Sequence, residues 1–225
     1  MEWMMPLRML CWWLLMGLAG VLGVWVSRRF SANWVSGLQA EGYQTPMPLA
    51  CGKWVDWVFM MWFAMVAAYL VFVSHKPTVE TAGLLWFLWV MGCSALVDAR
   101  TALLPNEATL TLMISGFVWQ VLLTHDIPPG QYLWGMVLGY LMPVVMNVMC
   151  QPFYRKAVVG LGDAKLLAGI GMWLGVSALP SVWLIASVAL LVYTASWWVW
   201  FGRRLTCLPF GPFLVFGASM VLWQC

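Results

Sequence analysis

Apolar residues run through this chain in long blocks, separated by short polar or turn-forming joints. A helix that crosses a bilayer takes roughly 20 apolar residues. Eight blocks are read as such spans: 9–26, 54–73, 81–97, 107–124, 131–150, 164–178, 181–201 and 208–224, the sixth being short. Most joints are brief and carry turn chemistry, as in His75-Lys76-Pro77 and Asp126-Ile127-Pro128-Pro129-Gly130. Only the joint from Ser27 to Lys53 is long. The first block, Met9 to Val26, outruns a signal-peptide core, lacks a small-residue cleavage site and is followed at once by Arg28 and Arg29. It is expected to be a retained first span.

Composition turns this pattern into a fold class. Hydrophobic residues make up 64% of the 225 and charged residues 8%, with a mean hydropathy of +0.87. A soluble domain has roughly a quarter of its residues charged, so this surface must face lipid. The 18 Trp and 17 Met suit lipid-facing and interfacial positions. The expectation is an all-α, polytopic helical membrane bundle. Residues 1–225 would form a single membrane-embedded domain, with a shortened loop at 27–53 and a core at 54–225. The net charge of +3 is too small and too scattered for a nucleic-acid binder. The six cysteines, Cys11, Cys51, Cys93, Cys150, Cys207 and Cys225, show no CxxC spacing and mostly lie in apolar runs. They read as small buried hydrophobes, with no metal site and no disulfide framework expected.

Basic residues orient the spans. Arg28, Arg29, Lys53, Arg100, Arg155, Lys156, Lys165, Arg203 and Arg204 fall at odd-numbered connections, and only Arg8 and Lys76 lie opposite. Nine against two makes the odd connections cytoplasmic and puts both ends of the chain outside. Gly135–Gly139 and Gly171–Gly175 are GxxxG spacings. Such spacings let helix backbones approach closely in lipid, although glycine is also simply common in membrane helices.

Only eight residues are acidic: Glu2, Glu41, Asp56, Glu80, Asp98, Glu107, Asp126 and Asp163. A carboxylate in or beside a span is costly and is a functional candidate by default. Glu2, Glu41, Glu80 and Asp126 read as solvated charges in loops or at an end. Asp56 and Glu107 open spans, where a carboxylate complements a helix N-terminus. Asp98 closes the third span after an unbroken apolar run, and Pro105 follows. Asp163 opens the sixth, in Gly160-Leu161-Gly162-Asp163-Ala164-Lys165. Both belong to the cytoplasmic boundary, 65 residues apart in sequence, and a meeting of helices three and six would join them.

Two neighbouring carboxyls share a proton and titrate as a unit. The ionised one can take a proton from water, while the protonated one hydrogen-bonds a scissile carbonyl and later protonates the leaving amine. Gly160 and Gly162 leave the backbone bare beside Asp163, so that an extended substrate can lie against it. On spacing alone, a helix cap plus a lone boundary charge remains the other reading.

These segments resemble the type IV prepilin peptidases, aspartic membrane proteases of the GxGD class. The family's first motif, an Asp followed by a Thr and Leu-Pro-Asn, is matched by Asp98, Thr101, Leu104, Pro105 and Asn106. Its G-x-G-D-x-K-L-hydrophobic-A motif is matched by Gly160, Gly162, Asp163, Lys165, Leu166 and Ala168. A third element, Pro-Phe-Gly-Pro-Phe, is matched from Pro209 to Phe213. The resemblance covers nearly all of the chain beyond residue 54. It implies cleavage of the short basic leader of prepilins or pseudopilins, after a Gly, at the cytoplasmic face of the bacterial inner membrane. It implies Asp98 and Asp163 as the catalytic carboxylates, and Gly160 and Gly162 as shaping the substrate-facing backbone. Lys165 would hold the loop or an acidic group of the substrate. Arg155 and Lys156 are read as positive-inside charges only, since they would repel a basic leader.

Many members of that family also methylate the new N-terminus with S-adenosylmethionine, and carry paired CxxC motifs suited to zinc in a large first cytoplasmic loop. Here the stretch from Ser27 to Lys53 holds only Cys51, which cannot build a four-ligand zinc site. Pro46-Met47-Pro48 and Cys51-Gly52-Lys53 would be remnants. The expectation is a short, peptidase-only variant with no cofactor, S-adenosylmethionine entering only if methylation is retained. A catalytically inactive assembly subunit of a pilus or secretion system is the rival reading, and a small transporter a weaker one, because carriers place polar groups at mid-membrane. A presenilin-like protease shares GxGD but needs a Pro-Ala-Leu element where this chain has Leu208-Pro209-Phe210.

Overall fold

The computed structural model describes residues 4–40, 53–72, 78–123, 130–154, 159–202 and 208–224. Among them are eight α-helices and no strand: α1 (Met4–Ala40), α2 (Lys53–Phe72), α3 (Thr78–Thr101), α4 (Asn106–Val118), α5 (Gly130–Tyr154), α6 (Leu161–Leu174), α7 (Leu179–Phe201) and α8 (Gly211–Gln224). The chain is an all-α, polytopic membrane protein. Three stretches, Glu80–Thr101, Gly130–Pro152 and Val176–Phe201, are long and apolar enough to cross a bilayer, and Asp56–Leu70 and Gly211–Trp223 are shorter apolar helices. Outward-facing side chains such as Trp200 on α7, 83% exposed, suit a hydrocarbon solvent.

Helix ends differ from the expected spans in instructive ways. The first helix does not stop at Val26 but carries Arg28 and Arg29 within it to Ala40. The third runs past Asp98 to Thr101, so Asp98 lies in its last turn rather than at its end. The fourth widens into a π-turn at Trp119–Leu123. The sixth ends at Leu174 because Gly175 takes φ +81°, and a 3₁₀ turn at Val176–Ala178 leads into α7. Residues 41–52, with Pro46-Met47-Pro48 and Cys51, lie outside the described residues, as do His75-Lys76-Pro77, Asp126, Arg155, Lys156, Arg203 and Arg204.

The chain divides into two compact units, Met1–Thr101 and Ala102–Cys225. In the first, α1, α2 and α3 pack pairwise. Phe59 of α2 lies against Gly92 of α3, with no room there for a Cβ. Trp89 donates from its indole N–H to the Ala19 carbonyl at 3.0 Å, which satisfies a ring donor that lipid would not. Near the ends of these helices Asp56, buried, is ion-paired with both Arg28 and Arg100. Arg100 also donates to Ser27 Oγ at 2.8 Å. One carboxylate thus ties three helices together. Asp56 does sit in the first turn of α2, but its two arginine partners are the larger part of its role.

In the second unit α6 is the hub, buried along almost its whole length and flanked by α4, α5, α7 and α8. Helix association in lipid depends on close packing rather than on hydrophobic burial, and α6 achieves it with glycines. Gly171 meets Gly135 of α5 backbone to backbone, and a Cβ on Gly139 would stand 2.6 Å from the Leu167 carbonyl oxygen. Both GxxxG spacings are therefore used, largely against each other. On the other flank, a Cβ on Gly169 would meet Leu112 of α4 at 2.6 Å. Positions two apart on a helix face different ways, so Gly169 and Gly171 serve different neighbours. Trp173 donates to the Leu112 carbonyl, and Gln120 donates to the Trp173 carbonyl, each at 3.0 Å. The Pro209–Phe213 element opens α8, where Phe210 meets Trp183 edge-on and Phe213 packs near Tyr193.

Candidate active site

Asp98 lies in the first unit. It is buried in the final turn of α3, one turn beyond Ser94, whose hydroxyl bonds back to the Val90 carbonyl. Thr101 does the same to Val97 at 2.8 Å. Both hydroxyls are thus turned onto their own helix. Arg100, two residues on, is held by Asp56, which fixes the end of the helix that carries Asp98.

The glycine-rich segment lies in the second unit. Gly160 is the N-cap of α6 and Asp163 its third residue. From that position a carboxylate can reach back to the N-cap backbone N–H, as the acidic arm of a capping box does. Here burial pushes the Asp163 carboxyl up to about 6, and the hydrogen bond from the Gly160 N–H pulls the other way. The balance leaves a carboxyl that changes charge near neutrality, where proton transfer in both directions is easiest.

Around this turn the Leu-Pro-Asn and GxGDxK motifs come together. Pro105 caps α4 with an extended backbone, and Asn106, next to it, accepts from Lys165 Nζ at 2.6 Å. Leu104 lies so close to Gly162 that a Cβ there would stand 2.9 Å from the Leu104 Cβ. The open side of Gly162 is therefore filled by Leu104 rather than left bare, whereas Gly160 is exposed. Lys165 is committed to the loop. Asn147 of α5 also takes part: its Nδ2 donates to the Val159 carbonyl at 2.7 Å, and its Oδ1 accepts from the Val159 N–H at 2.9 Å. Sequence reasoning passes over this residue, although a lone Asn in an apolar run is itself a signal.

The profile of the Type IV leader peptidase family matches residues 83–195, a stretch that includes Asp98, both halves of the docked motifs and Asn147. The chain belongs to that family. A prepilin leader peptidase/N-methyltransferase of Dickeya chrysanthemi is 33% identical over 177 residues, 76% of this chain and 62% of that protein. One of Escherichia coli K12 is 33% identical over 177 residues, 75% of this chain and 74% of that protein. One of Klebsiella pneumoniae is 36% identical over 125 residues, 56% and 53% respectively. This leader-peptidase-family chain thus spans about three-fifths of the Dickeya relative's length. No solved structure matches it.

Proposed function

We propose that this chain is a membrane-embedded aspartic endopeptidase that removes the basic leader of type IV prepilins or pseudopilins, after a Gly, at the cytoplasmic face of the inner membrane. Family membership supports the reaction class, and the excess of Lys and Arg at odd-numbered connections supports the side. The observation that carries the reading is the docking of Leu104 and Asn106 onto Gly162 and Lys165. It gives the joining of the two motifs a physical purpose, since Asp98 is only six residues along the chain from Leu104.

Asp98 and Asp163 are the catalytic pair in this proposal, and residues 1–225 act as one peptidase domain. The ionised carboxyl takes a proton from the attacking water. The protonated one hydrogen-bonds the scissile carbonyl and then protonates the departing amine. Exposed Gly160 offers bare backbone to the substrate, Gly162 admits Leu104, and Lys165 holds Asn106. Peptidase action is proposed alone. The relatives' name couples it to N-methyl transfer, but Cys51 is the single cysteine between residues 27 and 53, and no cofactor enters the mechanism.

Co-expression with a candidate prepilin tests the reading. Wild type should trim the prepilin, and Asp98→Asn and Asp163→Asn should each abolish trimming while still accumulating in the membrane. Trimming by both variants would overturn it, and an inactive assembly subunit would leave the prepilin uncut in every case. Mass spectrometry of the mature N-terminus should find an unmodified amine.

A further inference from the structure

We infer that Asn147 is a positioning residue for the catalytic turn, its side-chain amide locking the Val159–Gly160 peptide in the orientation that aims the Gly160 N–H at Asp163. This inference rests on the peptidase reading for its effect on cleavage, and on geometry alone for its effect on the turn.

A primary amide offers a donor and an acceptor in one plane, and Asn147 uses both on a single residue, the carbonyl at 2.7 Å and the N–H at 2.9 Å. That two-point grip is the pattern of one strand pairing with another, made here by a side chain about two turns before the end of α5. Val159 is buried, so its polar groups have little water to fall back on, and leaving either unpaired is unfavourable.

The consequence passes through one peptide plane. The carbonyl held by Asn147 Nδ2 belongs to the same planar group as the Gly160 N–H. In a trans peptide those two bonds point in opposite directions. Fixing the carbonyl toward α5 therefore turns the N–H away from α5, and the group beside Gly160 is the Asp163 carboxylate, whose Oδ2 would stand 3.1 Å from a Cβ on that glycine. Gly160 has no side chain to resist rotation of this plane, and the two bonds from Asn147 restrain it. The remaining charged side chains among the described residues of this unit are Lys165, bonded to Asn106, and Glu107, exposed at the start of α4.

Asn147 offers no proton at neutral pH and is assigned no contact with substrate, which separates it from Asp98 and Asp163. Its reach is to the backbone, and its effect is on the third residue of α6.

The test uses the full-length protein in detergent with Asn147→Leu, which removes both bonds, and Asn147→Gln, which keeps the amide donor and acceptor on a longer arm. Infrared difference titration, with Asp163→Asn as the blank, reads the ionisation midpoint of Asp163 whether or not the protein cuts anything. Losing the N–H bond weakens the charged form, so the midpoint should rise by about one pH unit in Asn147→Leu and by less in Asn147→Gln. On a prepilin substrate kcat should fall about tenfold with KM little changed, and the limb of the pH profile set by Asp163 should move the same way. An unmoved midpoint in both variants overturns the inference, whatever the cleavage rate. If wild type itself fails to cut prepilin, the peptidase reading falls while the infrared midpoint still decides the role of Asn147.

Discussion

Lys165 donates to the side-chain oxygen of Asn106 at 2.6 Å, joining two motifs that are 59 residues apart in sequence. One is the Leu-Pro-Asn run that follows Asp98, and the other is the glycine-rich turn that carries Asp163. The bond is exposed, so its worth to stability is small, about 0.5 kcal/mol. Its worth to geometry is larger, because it sets where the loop after α3 rests on the start of α6.

Lys165→Ala and Asn106→Ala should each slow prepilin cleavage about tenfold, and the double variant should be little worse than either single. A time course of trimming with the three variants checks this. Multiplicative losses would mean that the two residues act separately.

Gly162→Ala places a methyl 2.9 Å from the Leu104 Cβ, closer than carbon atoms tolerate, and neither atom is the free end of a long side chain. Cleavage should fall about a hundredfold, since a displacement of about 1 Å near reacting groups costs that much. Leu104→Ala in the same chain removes atoms from the crowded side and should restore part of the rate. Rescue is measured against each single variant in the same membrane preparation.

Asp163 gives a pH-dependent stability of defined sign. Its carboxyl is at about 6 in the folded protein against an unfolded value of 3.8, so folding opposes its ionisation. That stability is complete below the unfolded value and is lost as pH rises through the folded one. Asp163→Asn should therefore unfold at a higher temperature than wild type at about pH 7–8, by on the order of 1 kcal/mol, with the gap closing below about pH 4. Thermal unfolding in detergent across that range is the measurement.

Asp56 is the one carboxylate shared by Arg28 and Arg100. Removing it leaves two arginines facing each other, one of them largely buried. Asp56→Ala should destabilise the protein by about 3 kcal/mol. Adding Arg100→Ala should return part of the loss, because the stranded charge goes with it. Unfolding midpoints of the single and double variants provide the comparison.

The number of helices and the nature of their surroundings were legible because apolar block length maps directly onto a bilayer. Helix ends were less so. Nothing between Val26 and Ala40 breaks a helix, so α1 continues past its arginines, whereas α6 stops at Gly175, a residue already noted for its packing rather than for its capacity to turn. The carboxylates were legible by their rarity in an apolar chain. Their partners were not: Arg28, Asp56 and Arg100 are far apart in sequence, and only tertiary structure chooses that pairing over a helix-terminus role. Gly162 was readable as a bare position, but Leu104 as the group that occupies the space was not. Asn147 escaped because attention to ionisable groups overlooks a neutral amide whose partner is backbone.

The two glycines that press α6 against α4 and α5 also remove its freedom to turn or to slide. A helix gripped on both flanks keeps a fixed register against both neighbours. Under the proposed function, adaptation falls to the substrate, whose backbone must come extended to Gly160 and Asp163. An inhibitor built as a short extended strand should therefore outcompete a helical one of the same sequence.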